Sequence, residues 1–434
     1  MKEFFFSIPH VEEADYPLAR YSAKPIKHAV YRAKLDLSLA LNQEKPFKRF
    51  RITPQAWKSV RKKMHSLPKA PFAQPRGTNI EKIATPGDCI IILDAAWRND
   101  HTKAFQEARR NGLVIFQMVH DLIPILFPHT TGGAMPQVFA KWLLSSQSYT
   151  SVYLANSECT YRDLTQFLNA HNSDHDVRCI PLAQQIVAPS KKNQLSRDDI
   201  PIDAETYQLF SDVALFNADV RQVAASNFAL CVGTIEPRKN VWRIATAWKQ
   251  LLDKGRHEQL PKLVFAGRPG WLKDDFDKMM TATGNIWGWA QVVDGPTDAE
   301  LDLLYRRCRF FIKASLYEGW GLPVGEALSY GKTGVVSNAG SLPEVGGDLV
   351  EYCCPESIDS IAAAVWRLSS DLNRRRGLET KIQDTKFRTW DDVTHDLAKA
   401  VLSNLEREAL HNTAGPVALG GASVEQNLEG GSHL

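Results

Sequence analysis

Two glutamates, Glu318 and Glu326, stand eight residues apart in the stretch LYEGWGLPVGEALSYG, Leu316 to Gly331. Three glycines and a proline lie between them. Gly319 and Gly321 let the backbone approach a ligand with no Cβ in the way. Pro323 suits the first turn of a helix. The unpaired N–H groups of that turn favour phosphate oxygens. Glu326 is expected in the same first turn, where its carboxylate could accept from a vicinal diol such as a ribose or simply complement the helix dipole. Glu318, at a strand end, could accept from sugar hydroxyls or be a solvated loop acid. A second cluster is CVGTIEPRKN, in which a glycine closes an apolar run and Arg238 and Lys239 precede a helix. Two cations beside a helix N-terminus suit a diphosphate. The third is MVHDLIP, where His120 ends an apolar run; a lone histidine of this kind is more often structural. Asp121 could cap the next segment or orient the imidazole. Together the clusters point to a nucleoside diphosphate carrying a hydroxyl-rich group.

Other chemistry lacks its residues. No H-E-x-x-H, Walker A or G-x-S-x-G motif occurs, and no G-x-G-x-x-G follows the first strand. No D-x-D sits at a sheet edge, so no metal site is expected. The cysteines number seven, with no C-x-x-C, which reads as buried free thiols in a reducing compartment. The net charge of +3 does not mark the chain as a whole as a polyanion binder. The opening residues lack the basic and apolar regions of a signal peptide, and no apolar run reaches the roughly 20 residues of a membrane-spanning helix. The expectation is a soluble cytoplasmic protein.

The elements that position these clusters alternate. CIIILDAAW, GLVIFQMVHDLIP, SVYLANS and VRCIPLA read as strands with helical stretches between them. After a polar break the rhythm restarts with FALCVG, KLVFAG, AQVVDG, FFIKAS and GVVSN. TDAELDLLYRRC opens with a capping box, Thr297 and Glu300. Such alternation predicts parallel sheets covered by helices. The expected fold is α/β, two Rossmann-like doubly wound domains facing each other across a cleft. The expected segments are 1–184, with an atypical basic 1–80; an insertion over 185–226, partly helical at 204–216; a second doubly wound domain over 227–385; a last helix over 386–405; and a disordered tail over 406–434. Open parallel sheets bind ligands beyond the C-terminal ends of their strands, where all three clusters lie.

YEGWGLPVGEAL resembles the E-x7-E signature of retaining glycosyltransferases of glycosyltransferase family 4, which have the GT-B fold. VGTIEPRKN, FAGRPGW, VDGPTDAELDLLY and SNAGSLPEVGGD resemble other donor-domain segments of that family in its usual order, and VHDLIPI and LANSECTYRDL its N-terminal segments. The resemblance covers about 88–405. It implies that Glu326 holds the donor ribose, Glu318 contacts the transferred sugar, and Lys239 with Arg238 neutralises the diphosphate. Amides around Gly321 and Leu322 would face the phosphates or sugar, and His120 would touch the sugar near the reacting carbon. Trp390, Asp391 and the last helix would cross back to the first domain. Many relatives carry Arg where Thr234 stands, and Arg238 would replace that charge. No glycine-rich loop appears before Gly77, so either the acceptor side is unusual or the start is cut short. GTIEPRKN with HDLIP looks most like bacterial mannosyltransferases using GDP-mannose. No cofactor or metal is implied, and the leaving phosphate oxygen would take the acceptor's proton.

KPFKRFRITPQAWKSVRKK, Lys45 to Lys63, holds eight Lys or Arg and no acid. Such a patch suits an anionic membrane, at roughly 1 kcal/mol per basic residue near the surface. A solvated basic face is the plain alternative, and nucleic acid is not expected. The partners expected are a nucleotide-diphosphate sugar and a glycan or lipid-linked acceptor. Rhamnosyl, glucosyl or galactosyl transfer stays open, as does a hydrolysing epimerase or a silent nucleotide-binding partner in a biosynthetic complex.

Overall fold

The computed structural model describes residues 84–94, 96–98, 100–185 and 216–413. The basic segment Lys45 to Lys63, the rest of 1–83, the helix expected from Ala204 and the tail beyond Thr413 lie outside the described residues. The first sheet is parallel, in the order β1 (Cys89–Ile92), β2 (Val114–Val119), β3 (Val152–Ala155), β4 (Asp176–Cys179). β2 is buried along its whole length, which explains its near-continuous apolar sequence VIFQMV. Its one polar residue, Gln117, donates from Nε2 to the Met118 carbonyl (2.9 Å).

Helices α1 (Thr102–Arg110), α2 (Met135–Ser146) and α3 (Glu158–Ala170) connect these strands. α3 starts where Ser157 accepts from the Thr160 N–H. Val119 and Tyr153 pack with Trp142, Leu143 and Leu164 of α2 and α3. The opposite face, with Val114, Phe116, Val152 and Leu154, meets Val393, Ala400 and Val401 of the last helix, α11 (Trp390–Thr413). The chain therefore returns to its first domain. The helix runs to Thr413, past the boundary at 405 read from sequence.

The second sheet has the order β10-β9-β8-β5-β6-β7 and is also parallel throughout. Its strands are β5 (Phe228–Val232), β6 (Lys262–Gly267), β7 (Ala290–Asp294), β8 (Phe310–Lys313), β9 (Gly334–Ser337) and β10 (Glu351–Cys353). The longer helices are α4 (Ala218–Ala224), α5 (Val241–Asp253), α6 (Asp274–Ala282), α7 (Asp298–Arg307), α8 (Leu322–Ser329), α9 (Ile358–Ser370) and α10 (Leu372–Asp384). Alternation along β5 sends Ala229 and Cys231 to the core under α5 and α9, and Phe228 and Leu230 to the core under α4, α7 and α8. The capping box at Thr297 and Glu300 forms as its spacing predicts.

Two further points differ from the sequence reading. α4, read as part of the insertion, belongs to the second domain: Val220 and Val223 are in its core, and the Asn217 N–H donates to Glu300 Oε1 (2.8 Å). α10 was not read, because LNRRRGLETKIQD buries only Ile382 and shows little apolar period.

The direction of strand succession reverses between β5 and β8, so the crevice beyond their C-terminal ends is the expected ligand position. Asn240 fixes that crevice. It stands in the left-handed region (φ 61°), and its Nδ2 donates to the carbonyls of Ala314 (2.8 Å) and Pro355 (2.7 Å). Asn tolerates this conformation better than other non-glycine residues. Asn240→Ala strands two buried carbonyls and should cost about 2–4 kcal/mol of unfolding free energy in urea titrations. An unchanged midpoint would contradict this role.

Candidate functional site

The loops after β5 and β8 meet over one carboxylate. Glu318 Oε1 accepts from Lys239 Nζ (2.7 Å) and Ser315 Oγ (2.7 Å), and Oε2 from Arg238 (2.7 Å) and Lys239 (2.8 Å). Lys313 Nζ lies 3.3 Å from Oε1 and donates to the Val232 carbonyl (3.0 Å). Arg238 is forked: its other terminal nitrogen donates to Glu236 (2.7 Å), while the first also reaches the Tyr317 carbonyl (3.1 Å). Glu236, Glu318 and Lys313 are all buried. Gly233, at φ 141°, leaves this space open; a Cβ there would stand 3.1 Å from Lys313 Nζ.

Three cations and two carboxylates are in direct contact here, so the set carries one surplus positive charge. Burial alone would raise the Glu318 carboxyl, but Lys239, Lys313 and Arg238 hold it well below the usual carboxylate range. Burial pushes the Lys239 ammonium down to about 8; Glu318 opposes this, and Lys313 and Arg238 reinforce it. Asp121, across the cleft, is raised by burial, with Arg238 opposing. A buried group of cations in excess over its carboxylates is a place where an arriving anion is welcome.

The structure thus brings Arg238, Lys239 and Glu318 together and adds Lys313, Ser315 and Glu236. Lys313 was legible as the one charge ending a fully buried strand, FFIK. Glu318 is no solvated loop acid: in the structure both of its oxygens accept from protein donors. Its main chain is pinned as well: Ser341 Oγ donates to the carbonyls of Glu318 (2.9 Å) and Trp320 (2.8 Å).

Glu326 is the fifth residue of α8, not in the first turn as expected, because the helix starts at Leu322. Its Oε2 accepts from the Tyr305 hydroxyl (2.6 Å), and the Tyr305 ring stacks on Tyr330. Among the described residues no hydrogen-bond donor meets its other oxygen. Gly321 precedes α8 at φ 103°, where a Cβ would also meet Leu342 Cδ2 at 2.5 Å. Leu322 is exposed. Thr234 packs its methyl towards Gly270 beside β6, and a Cβ on Gly270 would lie 2.7 Å from it.

His120 follows β2 directly, and its Nε2 pairs with the Leu93 carbonyl (2.9 Å). Asp121 caps the next turn, accepting from the Ile123 N–H (3.0 Å). The backbone of His120 abuts the second domain, since a Cβ on Gly319 would lie 2.2 Å from the His120 carbonyl oxygen. Other bonds cross the cleft. Glu344 accepts from the amides of Glu158 and Cys159 at the start of α3 (both 2.8 Å). Trp320 donates to the Ala183 carbonyl (3.1 Å), and Tyr317 donates to Asp163.

Residues 217–384 match the family model of glycosyl transferases group 1. The match spans the second domain and its cation cluster. O-antigen chain mannosyltransferase B of Escherichia coli is 36% identical over 174 residues, 40% of this chain and 45% of that protein. The serotype-specific mannosyltransferase WbdA of Escherichia coli is 29% identical over 170 residues, 39% of this chain and 21% of that protein. The chain thus spans less than half the length of these relatives. Among solved structures, α,α-trehalose 6-phosphate synthase of Burkholderia multivorans superposes with a TM-score of 0.55 at 12% identity, over 77% of this chain and 74% of that one. HepE of Anabaena, solved with UDP and glucose, gives 0.52 at 16% identity, over 73% and 78%. These likenesses are of fold: two facing Rossmann-like domains in the GT-B arrangement.

Glu318→Gln keeps the shape and removes the charge that balances the lysines. Leaving these cations uncompensated should cost about 3–5 kcal/mol of stability, measured by urea unfolding at pH 7. A loss under about 1 kcal/mol would show that the carboxylate does not organise the cluster.

Proposed function

We propose that the chain is a retaining glycosyltransferase that moves a sugar from a nucleotide-diphosphate donor to a glycan or lipid-linked acceptor in bacterial surface-polysaccharide synthesis. The preferred donor is GDP-mannose. The observation that carries this reading is the buried, positively biased cluster of Lys239, Arg238 and Lys313 at the switch point of a domain matching glycosyl transferases group 1. The mannose of that donor is supported by the names of the mannosyltransferase relatives, and its guanine nucleotide by the resemblance of GTIEPRKN with HDLIP.

The residues divide the work as follows. The diphosphate lies over Gly233 and the start of α8 at Gly321 and Leu322. There its charge is met by Lys239, with Lys313 and Arg238 behind it. Glu326 takes a ribose hydroxyl on the oxygen that Tyr305 leaves open. Thr234 lines the approach from β6. As the bond between the anomeric carbon and the phosphate oxygen breaks, negative charge grows on the diphosphate and positive charge on the sugar. Lysines already in place stabilise the former without reorganisation. Lys239, drawn towards phosphate, releases part of its hold on Glu318, and that carboxylate then faces the sugar. The acceptor hydroxyl bonds to the anomeric carbon on the face the diphosphate leaves, and its proton passes to the departing phosphate oxygen. His120 borders the sugar from the first domain. The cluster supplies the positive charge that leaving-group departure needs, so the reading includes no divalent metal. In the same reading the basic segment Lys45 to Lys63 holds the protein near anionic lipid. No helix among the described residues is long and apolar enough to cross a membrane.

A thermal-shift panel of GDP-mannose, UDP-glucose, UDP-galactose, dTDP-rhamnose and free diphosphates tests the donor. GDP-mannose and GDP should raise the melting temperature, by about 2.7 kcal/mol of stabilisation at a hundred times Kd. Lys239→Ala should abolish the shift. NMR of the transfer product should show the donor's anomeric configuration kept. No shift with any nucleotide, or an inverted product, would overturn the proposal.

A further inference from the structure

The loop from Phe127 to Gly133 of the first domain touches the second domain at two places. The Phe127 ring packs on Tyr317, after β8, with centroids 4.9 Å apart. The Thr130 carbonyl accepts from Trp271 Nε1, after β6, at 2.7 Å. In the sheet β5 lies between β8 and β6. The loop therefore spans from one side of the β5 end to the other, across the position where Gly233 opens onto the cation cluster. Trp271 stands at the far end of that span.

Trp271 is unusual for an indole in contact with two domains. Its only polar atom is satisfied within the protein, yet the side chain is 45% exposed. Gly132 sits against it, the position of a Cβ there being 3.7 Å from Trp271 Cγ. Gly132 and Gly133 carry no side chain over the exposed ring, and Gly133 stands at φ 59°. Leu272, the next residue, is held at φ 52° and is 58% exposed. A left-handed leucine is strained, and such strain persists where surrounding structure imposes it. The result is an indole fixed in place, its N–H occupied and part of its ring facing solvent at the cleft mouth. An aromatic face of this kind matches the apolar C–H face of a pyranose. Sugar hydroxyls, pointing outward around the ring, stay in water.

We propose that Trp271, held by the Thr130–Gly133 loop, is the platform on which a pyranose ring of a glycan acceptor stacks. This acceptor subsite rests on the sugar-transfer reading above. It places the acceptor on the β6 side of the cluster, beside the Phe127–Gly133 loop. The glycine pair lets the sugar approach the ring, and the Nε1 bond keeps the ring from turning when the sugar leaves.

The test uses the full chain, with and without GDP, and oligosaccharides of mannose, glucose and galactose as probes. Saturation-transfer NMR reads the contact. The wild type should transfer saturation to the ring protons of at least one probe. Trp271→Ala should weaken that probe by about three- to tenfold. Trp271→Phe, which keeps a ring and lacks the indole N–H, should stay near the wild type. The proposal is overturned if no probe contacts the wild type, if Trp271→Ala binds as tightly, or if Trp271→Phe falls as far as Trp271→Ala. The last result would make the Nε1 bond, not the ring face, the feature that matters. A loss confined to GDP would place the nucleobase on Trp271 and also overturn it. Calorimetry of GDP on the wild type separately reports whether the donor reading stands.

Discussion

The carboxylate of Glu318 holds three cations that would otherwise repel one another in a buried crevice. Lys239 and Arg238 come from the loop after β5, Lys313 from the end of β8, and Glu318 from the loop beyond it. Bringing these charges out of water is costly, and only close pairing makes it tolerable. The surrounding structure serves that pairing. Asn240 ties the β5 loop to the backbone after β8 and β10, Ser341 fixes the Glu318 and Trp320 carbonyls, and Gly233 and Gly321 keep side chains out of the space above. Among the groups in direct contact, three cations face two carboxylates, and Asp121 of the first domain lies near enough to act on Arg238.

The same loop carries the contact between domains. Tyr317 and Gly319 flank Glu318, and they meet Asp163 and the His120 carbonyl of the first domain. Glu344 adds a carboxylate on the first amides of α3, where unpaired N–H groups and the helix dipole favour negative charge. The Glu318 loop is thus tied to the first domain on both sides of its carboxylate. α11 keeps the two domains on one tether by covering the open face of the first sheet.

Much of this was legible in the sequence. Runs such as GLVIFQMV and FFIK stand out because parallel strands are buried on both faces, and the capping box at Thr297 announced its helix. Arg238, Lys239, Glu318 and Glu326 were legible because they follow strand ends beside glycines. Their partnerships were not. Whether Glu318 faces solvent, sugar or lysine depends on how β5 and β8 lie side by side, a contact across roughly 80 positions of sequence. The Tyr305–Glu326 bond joins two helices in the same way. α10 escaped notice because a helix resting on one buried isoleucine has no apolar stripe to read. Trp271 figured in the sequence only as the last residue of FAGRPGW, and the Thr130 carbonyl of the first domain gives the indole its fixed place.

The surplus charge is the central claim, and proton linkage measures it directly. With Lys239 titrating at about 8, a fraction of the ammonium is deprotonated at that pH in the free protein. A bound diphosphate adds negative charge beside it and raises its affinity for a proton, so binding must draw a proton from the buffer, and affinity must fall as pH rises through 8. Calorimetric titration of GDP at pH 8 in two buffers of different ionisation enthalpy gives the proton count. The account predicts uptake of about half a proton at pH 8, falling to about a tenth near pH 7, where the lysine is already charged and the terminal phosphate of GDP is still largely ionised. Binding with no proton exchange at pH 8, or with release, would contradict it.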